Sequence, residues 1–345
     1  MRILVVGCGS VGKRHLGNLL SLGHELLACD TRPDRQKEIK ERFPSATVCS
    51  DIQEAFAKDP EAVFVCTPPS AHMQVARLSL EHSCHVFVEK PLSDTLHQVD
   101  EVIELSQRKN LSFMVGYTYR FSPALRKVKQ LVEEKAIGKT FSARICFSEY
   151  LPDWHPWEDY RTFYMAKKSL GGGALLDESH TVDFARWFFG EVEEVFSFNG
   201  KVSSLEIETD DLAELLLRFQ NGVIATIHLD LFGRAYRKTI EVMGEEGNIE
   251  WDFYRNEVRL YLASQKKWEI YPYKDERNAM FLEEAKYFVE CALQGRRPFL
   301  DGEEGKKTLQ VLLAARESSQ RKQSVAVKPG FGARETVGSR GGIIS

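Results

Sequence analysis

The first 120 residues alternate short, nearly unbroken apolar runs with longer stretches in which apolar residues recur at helical spacing. The apolar runs predict strands at Ile3–Gly7, Glu25–Asp30, Ala62–Thr67, His85–Glu89 and Ser112–Gly116. The stretches between them predict helices at Val11–Leu22, Pro33–Phe43, Ile52–Ala57, Ser70–Glu81 and Leu96–Lys109. Strands that are apolar along their length are typical of a parallel sheet with helices on both faces. This region therefore predicts a doubly wound α/β sheet of the Rossmann type.

The pattern changes in the second part of the chain. Helical periodicity returns at Pro123–Glu134, at Asn278–Leu293 and at Gly302–Arg321, and a glycine run opens one long predicted helix, Gly171–Phe189. Between them, Glu193–Tyr271 alternates apolar and polar residues, with turn signals such as Asn-Gly. These features predict an α+β domain built on a large, open, mostly antiparallel sheet.

The two patterns divide the chain into a Rossmann domain at residues 1–122 and a second domain at residues 123–327. The glycine-rich tail, residues 328–345, has few large apolar residues, so we expect it to be disordered.

Composition narrows the class of protein. The 345 residues are 43% hydrophobic and 28% charged with a formal net charge of −4, which is typical of a globular protein and gives no drive toward nucleic acid or anionic membranes. No apolar run reaches the ~18 residues needed to span a bilayer. The first strand begins at Arg2, which leaves no room for a targeting peptide. Seven cysteines without a C-x-x-C pair predict a reducing, cytoplasmic location.

The segment Gly7-Cys8-Gly9-Ser10-Val11-Gly12 matches G-x-G-x-x-G between a predicted strand and a predicted helix. Glycines in this context allow a tight turn and close approach of the backbone to a pyrophosphate, which the helix N-terminus attracts. The motif predicts a nicotinamide dinucleotide site whose residues include Gly7, Gly9, Ser10, Val11 and Gly12.

The second predicted strand ends at Asp30. A carboxylate there accepts hydrogen bonds from the adenosine ribose and repels a 2′-phosphate, which favours NAD over NADP. Arg32 follows two residues later and could hold a 2′-phosphate, so NADP stays open.

Glu89-Lys90-Pro91 follows a predicted strand at the edge of the sheet where ligands bind. Burial and a neighbouring positive nicotinamide ring would lower the pKa of Lys90, which could then exchange a proton with a substrate hydroxyl. The alternative is a surface lysine that pairs with Glu89.

Asp177 and His180 follow the run Gly171-Gly172-Gly173, and Asp183 comes three residues later. On one helix they would form an acid–histidine–acid stripe that orients the imidazole for proton transfer or for holding a hydroxyl. One histidine with two carboxylates makes a poor zinc site, so no metal is expected. The alternative is an ordinary helix start with Asp177 in its first turn.

The order of these motifs resembles the Gfo/Idh/MocA oxidoreductase family, which includes glucose–fructose oxidoreductase and inositol dehydrogenase. The resemblance extends from Arg2 to about Val327 and rests on five segments: Gly7–Gly12, Cys66–His72, Glu89–Pro91, Val115–Pro123 and Gly171–His180 with Asp183.

The resemblance implies roles for individual residues. Lys90 would be the catalytic lysine, and Asp177 and His180 would face the substrate from the second domain. The further residues implied along the cofactor are Thr67, Pro68, His72 and Glu89, and those beside the substrate are Tyr117 and Arg120. Members of the family often assemble as dimers or tetramers through the second sheet. Many members space the aspartate and histidine four residues apart, whereas here the spacing is three, so His180 is assigned more directly than Asp177.

The loop Trp154–Arg161 lies outside the general family pattern. Trp154 and Tyr160 could stack on a sugar or base, and Arg161 could clamp a carboxylate or phosphate, as in an acidic or nucleotide-linked sugar of surface-polysaccharide pathways. The same residues could equally form a packed loop or a subunit contact.

These observations predict an NAD-dependent oxidoreductase that moves a hydride between nicotinamide and a secondary alcohol or ketone of a sugar, cyclitol or nucleotide sugar. One alternative is a redox-neutral, NAD-dependent glycoside hydrolase on the same fold. A second is a non-enzymatic dinucleotide-binding regulator, which the retained Lys90 and His180 disfavour.

Overall fold

The computed structural model describes residues 1–274 and 277–327. The tail expected to be disordered, residues 328–345, lies outside the described residues.

The first sheet is built from the apolar runs of the N-terminal part of the chain. In the described residues it has six strands, all parallel: β1 (Arg2–Val6), β2 (Glu25–Cys29), β3 (Thr47–Cys49), β4 (Ala62–Val65), β5 (His85–Glu89) and β6 (Phe113–Gly116). Their order is β3-β2-β1-β4-β5-β6. The direction of winding reverses between β1 and β4, and a reversal of this kind leaves a crevice at the carboxyl ends of the strands. The predicted parallel sheet is confirmed.

Helices cover the first sheet: α1 (Ser10–Ser21), α2 (Pro33–Arg42), α3 (Ile52–Phe56), α4 (His72–Glu81) and α5 (Val99–Arg108). Strand β3 was not predicted, because its three residues are too short to show a periodicity. Helix α5 begins three residues later than predicted, because Gln98 before it adopts a left-handed backbone conformation with φ of 62°.

The second sheet has nine strands within the described residues: β7 (Thr140–Tyr150), β8 (Val192–Gly200), β9 (Leu212–Phe219), β10 (Ile224–Asp230), β11 (Phe232–Gly244), β12 (Gly247–Asp252), β13 (Glu257–Leu262), β14 (Lys267–Pro272) and β15 (Val325–Ala326). Their order is β14-β13-β12-β11-β7-β10-β9-β8-β15, and every pair is antiparallel except β7 with β10. Strand β9 alternates buried Leu215 and Leu217 with exposed Glu214 and Leu216, as one covered face requires. The predicted open, mostly antiparallel sheet is confirmed.

The second part of the chain also contains helices α6 (Pro123–Glu133), α7 (Ala174–Asp177), α8 (His180–Phe189), α9 (Ala279–Gln294) and α10 (Gly302–Arg321). Short 3₁₀ helices lie at Pro69–Ala71, Thr118–Phe121, Leu151–Asp153, Tyr160–Thr162, Tyr164–Ala166 and Lys168–Leu170. Asp301 caps α10 by accepting a hydrogen bond from the Glu304 N–H.

The C-terminal helices pack against the first sheet. The Val115 N–H in β6 donates to the Leu300 carbonyl at 2.8 Å, directly before α10. The amide of Asn278, at the start of α9, donates to Asn18 of α1 at 2.8 Å. These contacts hold the second part of the chain against β6 and α1, and side chains from both parts meet at the carboxyl end of β5, where Lys90 contacts Asp177.

Candidate active site

The glycine loop between β1 and α1 leaves no room for a side chain at Gly7 or at Gly12. A Cβ atom at Gly7 would lie 2.5 Å from the Cys66 carbonyl oxygen, and one at Gly12 would lie 2.0 Å from the Gly7 carbonyl oxygen. Gly7 also has a φ of 92°, a left-handed conformation that favours glycine. Gly9 precedes α1, and no side chain caps the helix, so its first N–H groups face the loop. This cradle is of the kind that holds a pyrophosphate.

Asp30 lies directly after β2 and organises the turn beside the glycine loop. Its Oδ2 accepts the Cys8 N–H at 2.7 Å, and its Oδ1 accepts the Arg32 N–H at 2.9 Å. The Arg32 guanidinium is paired with Asp34 at 2.5 Å. The arginine nearest to the loop is Arg35, whose Nη1 lies 3.5 Å from Asp30 and covers Gly9. Arg35 was missed by the sequence interpretation, although it lies in the first turn of the predicted helix Pro33–Phe43.

The end of β4 contributes Thr67, Pro68 and His72. The ring nitrogens of His72 lie 2.9 Å from the Pro91 carbonyl oxygen and 2.8 Å from the Thr67 carbonyl oxygen. His72 is almost fully buried, so it joins two backbone segments of the crevice instead of facing it. The Thr67 hydroxyl is buried and has no hydrogen-bond partner among the described residues. A polar atom without a partner beside the glycine cradle fits a ligand that completes its hydrogen bonding.

Lys90 follows β5 and reaches across the crevice to α7. Its Nζ donates to the Asp177 carbonyl oxygen at 2.7 Å and to Asp177 Oδ1 at 3.0 Å. Behind it, Glu89 lies 2.7 Å from His15 Nε2 and accepts the Lys90 N–H at 3.2 Å. Glu89 is therefore held within the first domain, and the alternative of a surface Glu89–Lys90 side-chain pair is not what the structure contains.

The electrostatics of Lys90 differ from the sequence expectation. Burial lowers the pKa of Lys90, but the carboxylates of Asp177, Glu178 and Glu89 act in the opposite direction and raise it overall. The expectation of a lowered pKa considered burial and the nicotinamide ring alone. Two of the three carboxylates that outweigh burial, Asp177 and Glu178, come from a distant part of the chain.

The segment that follows the glycine run is two helices instead of the one predicted. Helix α7 ends at Asp177 and α8 begins at His180, with Glu178 and Ser179 in a turn between them. The Tyr164 hydroxyl donates a short hydrogen bond to Asp177 Oδ1, which already contacts Lys90. The predicted acid–histidine–acid stripe is therefore wrong, because neither aspartate hydrogen-bonds the imidazole.

His180 lies between two tyrosine rings, with centroids 5.9 Å from Tyr117 and 4.9 Å from Tyr119. Burial, with the positive charges of Lys90 and Lys238, lowers the pKa of His180 well below its usual range. The imidazole is therefore neutral at pH 7 and can exchange a hydrogen bond with a ligand.

Arg120 and Asp183 form a buried ion pair. The guanidinium Nε lies 2.7 Å from Asp183 Oδ2, and Nη2 donates to Oδ1 at 2.9 Å. Arg120 also packs on Trp187, 5.0 Å from the ring centroid. The neighbouring Tyr117 has no solvent exposure. This geometry favours structural roles for Arg120 and Tyr117 over the substrate contacts that the resemblance implied.

The loop Trp154–Arg161 is divided between two environments. Arg161 pairs with Asp159 at 2.8 Å and with Glu206 at 3.2 Å, and the Tyr160 hydroxyl accepts the Glu206 N–H at 3.2 Å. Trp154 is half-buried against the core. The three residues predicted from sequence to hold a substrate thus contact other residues of the second part of the chain. In the described chain the ion-pair partners of Arg161 are Asp159 and Glu206, and it makes no ion pair or hydrogen bond with the site at Lys90.

A second charged cluster beside Asp177 was missed by the sequence interpretation. Lys238 Nζ lies 3.0 Å from Glu149 Oε2 and 3.8 Å from Glu178 Oε1, and the Tyr254 hydroxyl donates to Glu149 at 2.7 Å. Burial raises the pKa of Glu178 to about 7, although Lys238 opposes this shift. One signal was present: Lys238 occupies the same buried phase of β11 as Ile240, where a charge needs a partner.

Residues 1–274 and 277–327 contain neither a candidate metal site nor a candidate membrane-spanning helix. No group of three or more His, Cys, Asp or Glu side chains is arranged to hold a metal ion. No helix there is both long enough and apolar enough to cross a membrane.

Comparison with known proteins agrees with a Rossmann fold followed by a second part built on the antiparallel sheet. Residues 1–117 match the oxidoreductase family with an NAD-binding Rossmann fold, and residues 125–250 match the GFO/IDH/MocA C-terminal domain. The chain is 33% identical over 348 aligned positions to myo-inositol 2-dehydrogenase of Thermotoga maritima, covering 96% of this chain and 100% of the relative.

Solved structures show the same fold. A levoglucosan dehydrogenase in complex with NADH and levoglucosan superposes with a TM-score of 0.85 at 22% identity, covering 95% of this chain and 100% of the other. The WlbA dehydrogenase from Bordetella pertussis, in complex with NADH and UDP-GlcNAcA, gives a TM-score of 0.79 at 21% identity, covering 95% and 99%. The protein is thus a member of the Gfo/Idh/MocA family of oxidoreductases, with an NAD-binding Rossmann fold in its N-terminal part.

Proposed function

We propose that this protein is a dehydrogenase that oxidises a secondary alcohol of a cyclitol or sugar with NAD, or catalyses the reverse reduction. The observation that carries the proposal is the meeting of Lys90, from the carboxyl edge of the first sheet, with Asp177 and the neutral His180 of the second domain. The relative with 33% identity is named a myo-inositol 2-dehydrogenase, so a cyclitol is the first substrate to test.

The residues of the first domain fit a bound NAD. Gly7 and Gly12 allow the tight turn that a pyrophosphate-binding loop requires, and Asp30 lies where the adenosine ribose binds in such folds. The Thr67 hydroxyl lacks a partner among the described residues. NAD held by these residues would supply the hydride acceptor for oxidation of the alcohol carbon, and NADH the hydride donor for the reverse reduction. The dinucleotide-binding residues position that ring, and the groups of the second domain supply the remaining chemistry.

Lys90 is the proton-exchanging group in this proposal. As an ammonium it donates a proton to the carbonyl oxygen during reduction, and as an amine it takes the hydroxyl proton during oxidation. Asp177 holds Lys90 through two hydrogen bonds, and Tyr164 holds Asp177 in turn. The neutral imidazole of His180 forms a hydrogen bond with the same substrate oxygen, and Lys90 alone carries the positive charge beside it.

Two further features of the proposal concern the assembled protein. We expect a homodimer or homotetramer formed through the second sheet, where Phe141, Phe198 and Leu216 are largely exposed on β7, β8 and β9. We expect a reducing compartment such as the cytoplasm, because the seven cysteines are free thiols.

The test is NADH formation with a panel of inositols, sugars and nucleotide sugars, run in parallel with NAD and NADP. Lys90→Met should reduce turnover by about 10²–10⁴-fold while NADH binding is retained. Lys37→Met changes an exposed lysine of α2 and should leave turnover unchanged. Unchanged turnover in Lys90→Met would contradict the proposed role of this lysine.

The same panel addresses the hydrolase alternative. Cleavage of a glycoside without net NADH formation would overturn the dehydrogenase proposal in favour of the redox-neutral reaction. The relatives reported above are named as dehydrogenases, which supports the dehydrogenase proposal over the hydrolase alternative.

A further inference from the structure

The loop between β7 and α7 connects the catalytic residues to the cofactor cradle. At one end, Tyr164 contacts Asp177. At its tip, His155, Trp157 and Glu158 form one wall of a cavity of about 650 Å³. Gly9 of the glycine loop lines the same cavity. The tip of a second-domain loop therefore faces the part of the first domain that fits a dinucleotide.

Trp157 is the most exposed large hydrophobic side chain of the described residues, with 77% of its surface accessible. Its ring lies 5.4 Å from that of His155, which packs in turn on Phe163 at 5.2 Å. The backbone of the tip is closed by a hydrogen bond from the Glu158 N–H to the His155 carbonyl oxygen at 2.9 Å. The indole is thus carried on an ordered turn, yet most of its apolar surface has no partner in the described chain.

The cavity is suited to an anionic ligand with a flat ring. Five cationic side chains line it against three acidic ones: Lys13, Arg14, Arg32, Arg35 and Arg42 against Asp34, Glu38 and Glu158. Neither Lys90 nor His180 is among its lining residues in the described chain. The cavity extends along α1 from Gly9 and Ser10 to Ser21, and only its end at the glycine loop and Arg32 is the adenosine side of a dinucleotide site. The loop tip lies at this end, because the charge of Glu158 acts on Arg32.

We propose that Trp157 is a cofactor-binding residue, whose indole packs against the adenine ring of NAD and closes the cavity from the second domain. The inference rests on the proposed function, since it requires that a dinucleotide occupies the glycine cradle. A nucleobase stacked on an aromatic side chain gains roughly 1–3 kcal/mol, which corresponds to about 5- to 150-fold in affinity. Because the same loop ends at Tyr164, it also joins the adenosine end of the cofactor to Asp177.

The test measures binding instead of turnover. Wild type, Trp157→Ala and Trp157→Phe are titrated by calorimetry with NADH, with ADP-ribose and with reduced nicotinamide mononucleotide. Trp157→Ala should weaken NADH and ADP-ribose by the same factor, about tenfold, and leave the mononucleotide unchanged. Trp157→Phe should recover most of the loss because it keeps an aromatic face.

A matched control is Trp268→Ala, which removes a half-exposed tryptophan from the edge strand β14 and should leave all three affinities unchanged. Circular dichroism melts should show folded variants, since Trp157 contributes little to the core.

The outcomes separate this inference from the proposed function. If wild type binds neither NADH nor ADP-ribose, the dinucleotide site itself is wrong and the inference falls with it. If wild type binds both and Trp157→Ala binds them equally well, the inference is wrong and the dehydrogenase proposal stands. A loss shared by the mononucleotide, or a change from dimer to monomer in sedimentation with unchanged affinities, would also overturn the adenine contact.

Discussion

Lys90 Nζ lies 2.7 Å from the backbone carbonyl oxygen of Asp177 and 3.0 Å from its Oδ1. The two residues are 87 positions apart. Lys90 directly follows β5 of the first sheet, and Asp177 ends α7 in the second part of the chain, so this contact joins the two parts at the crevice. The backbone oxygen of Asp177 positions the Lys90 ammonium group, and the Asp177 carboxylate raises the pKa of Lys90. The two effects can be separated by substitution.

Asp177→Asn keeps the backbone acceptor and removes the charge. Asp177 is the foremost of the groups that raise the pKa of Lys90, whereas burial lowers it, so the variant should have a lower pKa at Lys90. In the proposed reaction, reduction needs the ammonium form of Lys90, so its rate should fall at a lower pH than in wild type. Oxidation would need the amine form, so its rate should rise at a lower pH. The pH dependence of kcat in both directions is the measurement.

The control for this shift is Asp100→Asn, which removes an aspartate that pairs with Lys306 on the surface. It should leave both pH profiles in place. Profiles of Asp177→Asn that coincide with wild type would show that Asp177 does not set the protonation of Lys90.

Glu178 should make the stability of the protein depend on pH near neutrality. Burial raises its folded-state pKa to about 7, from an ordinary value of 4.5, so the folded chain binds this proton more tightly than the unfolded chain. Its favourable contribution is complete below pH 4.5 and is lost as the pH rises through about 7. The loss is on the order of 3 kcal/mol. Glu178→Gln cannot titrate, so its stability should vary less between pH 5 and pH 8.

Urea unfolding midpoints at several pH values would measure this difference. Glu208→Gln is the control, because Glu208 is exposed and its pKa is lowered by its hydrogen bond with Lys167, which places its titration below this range. Parallel stability curves for wild type and Glu178→Gln would refute the prediction.

Gly12→Ala should weaken cofactor binding without unfolding the protein. The added Cβ would lie 2.0 Å from the Gly7 carbonyl oxygen, so the glycine loop must move away from its present path. We expect NADH affinity to fall by at least about tenfold in a fluorescence titration. Gly17→Ala lies on the same helix with its nearest neighbour at 3.8 Å, and should retain binding and gain about 0.5–1 kcal/mol of helix stability. Equal NADH affinities in the two variants would contradict the steric argument.

Asp183→Ala should destabilise the fold more than it affects the chemistry. It would leave the Arg120 guanidinium buried without its partner, which typically costs about 3–5 kcal/mol in unfolding free energy. Asp159→Ala breaks an exposed pair with Arg161 and should cost less than about 1 kcal/mol. Normal unfolding of Asp183→Ala together with lost turnover would instead favour a catalytic role.

Much of the fold follows from local patterns. Runs such as Ile3–Val6 are apolar along their whole length and are fully or nearly fully buried in the parallel sheet. The glycine loop and the position of Lys90 after β5 follow from the same segments. These features depend on neighbours in sequence, so periodicity and motif context were sufficient to predict them.

Other features depend on residues far apart in the chain. The turn at Glu178 and Ser179 contains neither glycine nor proline, so no local signal marked the end of α7. The resemblance implied that Arg120 lies beside the substrate, and its ion-pair partner Asp183 could not be identified from sequence because it lies 63 positions away. The pKa of Lys90 is raised, although the sequence predicted that it would be lowered. The reason is again separation along the chain, since Asp177 and Glu178, which raise it most, come from the second part of the chain.

The sequence by itself determined the parallel sheet, the glycine cradle, the lysine at its edge and the second, antiparallel sheet, because each is encoded in a short stretch of chain. Only the tertiary structure decided which charges meet. It paired Lys90 with Asp177 and Glu178 with Lys238, buried Arg120 in an ion pair and placed Trp157 in the same cavity as Gly9. The physical reason is that electrostatic and stacking partners are set by distance in space, which spacing along the chain does not specify.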